Sequence, residues 1–153
     1  ERLESEDLVP FRALAGETAA VMVGHGHYPA LDPAPRPASL SPEIVGGLLR
    51  RSLGYRGLVV TDDLEMGAAA PRDEHGSAAV EAVRAGCDLV LYCRDLDRAA
   101  LAREALATEA GRDPSFARRL ARAAAAVERL ASRWSASPPD LAAFATARRD
   151  FVS

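Results

Sequence analysis

Basic charge is not in excess in this chain: 19 arginines and lysines stand against 22 aspartates and glutamates, a formal net charge of −3 over 153 residues. That removes the electrostatic case for a nucleic-acid partner, which calls for a basic face. Aromatic residues are scarce, at 5%. The hydrophobic fraction is 48%, but much of it is alanine, which buries little area per residue, so the core is expected to be thin. The two cysteines, Cys87 and Cys93, lie six residues apart, with no CxxC or other metal-type spacing. They read as buried or free thiols, without a disulfide framework. No apolar run approaches the ~20 residues of a membrane span. The opening residues, "ERLESEDLVPF", are acidic and hold no apolar signal region, so a cytoplasmic location is the expectation over a secreted one.

What the chain does have is a rhythm. Three short apolar runs, "AAVMVGH" (19–25), "GLVVTDD" (57–63) and "CDLVLYC" (87–93), are continuous rather than alternating, as parallel strands buried on both faces are. Helical patterns lie between and after them. The first runs from Ser41 as N-cap, through Pro42 and Glu43, to Gly54 as stop, with Ile44, Leu48 and Leu49 on one face. The second covers 77–86 and ends at Gly86, and the third covers 96–110. This βα alternation predicts an α/β fold with a parallel sheet, either part of a (β/α) barrel or a doubly wound sheet. A long Ala- and Arg-rich amphipathic helix is expected over 114–134. Arg118, Arg119, Arg122 and Arg129 would form its solvated face, and Leu120, Val127 and Leu130 its apolar stripe. "SASPP" (135–139) breaks the chain before a short final helix over 140–151.

Chemistry concentrates where the second run ends. Asp62 and Asp63 stand at the carboxyl end of a predicted parallel strand, the active end in such folds. An acid there suits a nucleophile or general base, and the competing reading is a cap for the next turn. Neighbours on a strand point to opposite sides, so one acid of each kind is expected. Glu65 follows as a further support. His25 and His27, in "VGHGHYPALD", have a spacing that on a strand puts two rings on one face and permits metal binding. The competing reading is that His25 lines a pocket while His27 points into a loop. His75 lies in a polar loop and reads as solvated.

Taken in order, "AAVMVGHGHYPALDP", "PASLSP", "LLRRSLGYRGLVVTDDLEM" and "AGCDLVLYC" resemble the second half of the glycoside hydrolase family 3 catalytic domain. The branch is that of β-N-acetylhexosaminidases acting on peptidoglycan fragments. The resemblance covers roughly residues 5–105. It implies a TIM barrel and a retaining mechanism on a glycan substrate, with no cofactor or metal. The nucleophile would be Asp62. Asp63 would be a structural feature of the branch, and His25 would sit near the substrate.

The branch's acid/base loop, of "KHFPGHGD…DSH" type, has no match here, so that role passes to neither His25 nor His27. The chain therefore looks like the last three or so βα units of an eight-unit barrel, with residues 1–112 the barrel portion and 113–153 a helical extension. Such a piece is expected to be inactive and poorly stable alone, because its sheet edges are unpaired. Two other readings stay open: a metal-dependent barrel hydrolase using His25, His27 and Asp62, and a non-catalytic remnant that offers its Arg-rich helix as an interaction surface. The high alanine and arginine content points to a GC-rich bacterial genome.

Overall fold

The computed structural model describes residues 3–133. Within them, β1 (Ala20–Val23), β2 (Leu58–Asp63) and β3 (Leu89–Leu91) form one sheet in that order, with both pairings parallel. The strands are the centres of the three apolar runs. Each is shorter than its run. A helical segment leads up to the sheet, a π-turn over Leu3–Asp7 followed by α1 (Val9–Leu14). The acidic residues of that stretch carry no apolar periodicity from which a helix could be read.

α2 (Pro42–Ser52) starts as expected: the Ser41 hydroxyl accepts the Ile44 N–H, and proline occupies the first turn. It is wound more widely than an α-helix. Its end is closed by an i→i−5 bond from Leu53 N–H to the Leu48 carbonyl. Gly54, at φ 69°, then turns the chain out towards β2. α3 (Ser77–Ala85) ends at Gly86, and α4 (Leu96–Arg112) is capped by the Asp95 carboxylate. α5 (Pro114–Arg133) lays Phe116 and Ala123 into the molecule, with Leu120, Val127 and Leu130 half-buried beside them. Its described length ends at Arg133. The chain break at 135–139 and the final helix expected over 140–151 lie outside the described residues.

The core is thin and alanine-rich, as the composition implied. Ala78, Ala79, Ala82, Ala85 and Ala102 are buried around Leu40, Val45, Leu49, Tyr55 and Val59. Val21, Val23 and Val90 pack against this cluster, so these strand positions face the helices. The intervening positions face away. Met22 pairs with Val60 and Val60 with Leu89, and this row is uncovered at both flanks, with Met22 56% and Leu89 37% exposed.

Where α3 meets α4, the fold depends on a missing side chain. Gly76 has φ 80°, and a Cβ there would stand 2.6 Å from the Ala102 Cα, a backbone atom that cannot swing aside. Gly76→Ala is expected to cost about 2–5 kcal/mol, combining left-handed strain with overpacking. Urea unfolding measures it. A loss under about 1 kcal/mol would mean that the two helices separate easily at this point.

Candidate active site

The sheet brings the sequence-predicted residues to one end. β2 carries one more residue than β3 between their paired positions Val60↔Leu89 and Asp63↔Leu91, a bulge that ends regular alternation beside the two aspartates. Such a bulge re-aims side chains at a strand's end. The simple expectation that Asp62 and Asp63 alternate across a flat strand is therefore replaced by a locally kinked turn. Thr61, fully buried, steadies the kink by accepting the Leu91 N–H with its hydroxyl.

The two acids have different tasks. Asp63 Oδ1 accepts the Glu65 N–H at 3.0 Å and so caps the turn that leaves the strand. Asp62 Oδ1 accepts the Asp63 N–H at 2.8 Å, which sets the plane of its carboxylate. Among the described residues, no group donates to Asp62 Oδ2. Asp62 is half-buried at the carboxyl end of the central strand.

His25 ties the end of β1 to this turn. Its Nε2 lies 2.8 Å from the Asp63 carbonyl and its Nδ1 2.7 Å from the Ser39 hydroxyl. A carbonyl only accepts, so Nε2 carries the proton and donates to Asp63, while Nδ1 pairs with the Ser39 hydroxyl. Ser39 is itself buried on the turn that precedes α2. His27 points into its own loop, with Nε2 3.2 Å from the Ala34 carbonyl. Thus the two rings serve separate partners. Among the described residues, no group of three His, Cys, Asp or Glu side chains is arranged to hold a metal ion. His75 is exposed, with Glu74 beside it.

Glu65, a support by sequence, is a backbone clamp. It is buried, and its Oε2 accepts the N–H groups of Cys93 (2.8 Å), Arg94 (2.7 Å) and, more distantly, Asp95. The loop after β3 is thereby fastened to the loop after β2. Glu65→Gln keeps one acceptor oxygen but loses the charge assistance, and a loss of roughly 1–3 kcal/mol is expected in thermal or urea unfolding. Faster amide exchange should be confined to Cys93–Asp95. Unchanged exchange there would show that the clamp is not what orders the loop.

Cys93 borders the same end. Partial desolvation, then the Asp63 and Glu65 carboxylates, push its thiol pKa up, so it stays protonated at neutral pH and is a poor nucleophile. Cys87 is buried, with its thiol pushed up to about 12, mainly by desolvation.

One expected surface is corrected. Arg119, read as part of the solvated face of the long helix, turns inward. Its guanidinium donates to the Cys87 carbonyl (2.6 Å) and to Asp88 Oδ1 (2.9 Å), and its side chain is only 18% exposed. Helical periodicity alone misplaced it, because a long arginine can reach a buried carboxylate from the flank of the apolar stripe. Asp88 itself was not singled out, although it lies in the "AGCDL" stretch.

The chain's residues 1–130 match the model of the glycosyl hydrolase family 3 N terminal domain. A beta-hexosaminidase from Alkalilimnicola ehrlichii is 48% identical over 92 residues, covering 60% of this chain and 26% of that protein. Among solved structures, a glycoside hydrolase family 3 beta-N-acetylglucosaminidase from Paenibacillus sp. str. FPU-7 superposes with a TM-score of 0.75 at 40% identity. The match covers 90% of this chain and 27% of that one. The beta-N-acetylhexosaminidase from Beutenbergia cavernae gives a TM-score of 0.69 at 34% identity, over 78% of this chain and 35% of that one. The chain thus spans about a quarter to a third of the length of the relatives it matches. With the family model covering most of its residues, the chain belongs to the glycosyl hydrolase family 3 N-terminal domain family.

Proposed function

We propose that this chain supplies the nucleophile half of a retaining β-N-acetylhexosaminidase that removes terminal β-linked N-acetylglucosamine from peptidoglycan fragments or related glycans. The observation that carries the reading is the state of Asp62: a carboxylate at the carboxyl end of the central strand, one oxygen oriented by a backbone N–H and the other without a donor among the described residues. In the first step that oxygen attacks the anomeric carbon, forming the glycosyl ester as the bond to the leaving oxygen breaks. The leaving oxygen takes its proton from an acid outside this chain. In the second step water, relieved of its proton by the same group, cleaves the ester and restores the Asp62 carboxylate with net retention.

His25, with both ring nitrogens engaged, contributes by holding the Asp62–Asp63 turn at the substrate's edge, in place of a direct polar grip on the sugar. The names of the relatives support the sugar, and the bare sheet supports the architecture. β1 and β3 each pair on one side only among the described residues, and the Met22–Val60–Leu89 face awaits cover. Both features suit the last three βα units of a (β/α)8 barrel, followed by a helical extension over 113–153.

The test is a mechanism-based fluoro-sugar offered to a chain that also carries the upstream βα units. The label is expected on Asp62, and a label on any other residue refutes the assignment. The 153-residue chain by itself is expected to show no turnover and to aggregate on concentration.

A further inference from the structure

The opposite end of the sheet carries a second, differently built site. Gly57 directly precedes β2 and Asp88 directly precedes β3, so both lie at the amino ends of the strands. A cavity of about 360 Å³ opens there, lined by Arg50, Arg56, Arg119, Arg122 and Arg129, with Asp88 as its one carboxylate. Asp88 is already shared. Its Oδ2 accepts from Arg50 and its Oδ1 from Arg119, and the side chains of the three are only 22%, 6% and 18% exposed for Arg50, Asp88 and Arg119. Two guanidiniums on one carboxylate leave a partly desolvated positive charge without a counter-charge. Among the described residues, Arg56, Arg122 and Arg129 have no carboxylate partner. Five arginines against one aspartate make this cavity strongly positive in a chain of net charge −3.

We propose that this cavity binds a multivalent oxyanion of the phosphate or diphosphate class. The chain has no lysine: all 19 of its lysine-plus-arginine positions are arginine, whose planar fork matches a phosphate with two parallel bonds and whose charge does not titrate away. Arg119, Arg122 and Arg129 lie along one helix, and ten residues at about 1.5 Å each spread the donors over roughly 15 Å, room for more than one anionic group. The lining opposes a single-stranded nucleic acid. Its one aromatic ring, Tyr55, is fully buried and has Arg50 packed over it at 5.7 Å, so no base has a face to stack on. It equally opposes an acidic peptide, because the cavity offers alanine as its one apolar side chain and hence no pocket for residues between the acids. Asp62 lies five residues up β2 from Gly57, about 16 Å away along the strand, so a ligand here does not touch the proposed nucleophile.

Equilibrium dialysis of a chain that also carries the upstream βα units against labelled pyrophosphate, at low and matched ionic strength, tests this. Saturable binding at or below about 1 mM is expected, weaker for orthophosphate and weakened further by added chloride. An Arg122→Ala/Arg129→Ala variant should bind about tenfold or more weakly, while Asp62→Asn binds as the parent does. Circular dichroism of both variants guards the comparison, since neither exposed arginine supports the core and each helix signal should match the parent's. Absence of saturable pyrophosphate binding, equal binding by the double-arginine variant, or tighter binding of an oligonucleotide or a glutamate-rich peptide overturns the proposal.

Discussion

Asp62→Asn is expected to lower turnover of an aryl β-N-acetylglucosaminide by at least about a thousandfold when the βα units upstream are present. The size follows from what is removed. A retaining enzyme without its nucleophile loses the covalent route altogether, and a thousandfold corresponds to about 4 kcal/mol of barrier. The amide matches the carboxylate in shape, and among the described residues only Oδ1 of the pair is engaged, accepting the Asp63 N–H. A side-chain amide oxygen can accept that bond equally well, so folding should survive. Asp62→Ala gives a second readout. It opens space below the sugar, and added azide should restore part of the turnover and yield the glycosyl azide of inverted configuration. Asp63→Asn separates the two acids. It weakens a cap on the Glu65 N–H and should change turnover by about tenfold or less. If Asp63→Asn proved the more damaging of the two, the roles assigned at this turn would have to be exchanged.

How far this site could be read in advance differs residue by residue. The strands were legible because continuous Val- and Leu-rich runs alternate with capped helices, and Ser41, Gly54 and Gly86 mark helix ends by local chemistry that acts within three or four residues. The place of Asp62 at a strand's end was legible because a strand-end acid is a local pattern as well. The bulge was not: it arises from a count of residues between two hydrogen-bonded strands, and neither strand carries that count alone. The same holds for His25. Its ring could be placed at the end of its strand, but the partners that decide its role are a serine 14 residues on and a carbonyl 38 residues on. Glu65 was recognised as a support without its reach to residues 93–95. Long side chains defeated the pattern most clearly, since Arg119 sits at the edge of a helical stripe and its terminus, not its Cα, decides where the charge ends up.

That buried charge yields the largest stability effect expected in the molecule. Asp88→Ala should cost about 3–5 kcal/mol, the range for removing one partner of a buried ionic network. The carboxylate accepts from Arg50 and Arg119 and also from the Val59 N–H at 3.1 Å, so one truncation strands two guanidiniums and a backbone donor at the foot of the central strand. Arg50 has other acceptors, the carbonyls of Gly57 and Gly86, and Arg119 has that of Cys87, which hold the side chains in place but leave their charge uncompensated. Against a total stability of about 5–15 kcal/mol for a typical domain, a loss of this size removes between about a fifth and all of the margin. Asp88→Asn, which keeps an acceptor oxygen and the shape, should fall between parent and Ala. Urea midpoints at fixed pH rank the three. If the cavity beside this network takes an oxyanion, pyrophosphate should recover more stability for Asp88→Asn than for the parent, because the anion then faces two unpaired guanidiniums instead of a shared carboxylate. An Asp88→Ala loss below about 1 kcal/mol would instead show that water reaches the arginines freely, which would also remove the desolvated charge on which the oxyanion site depends.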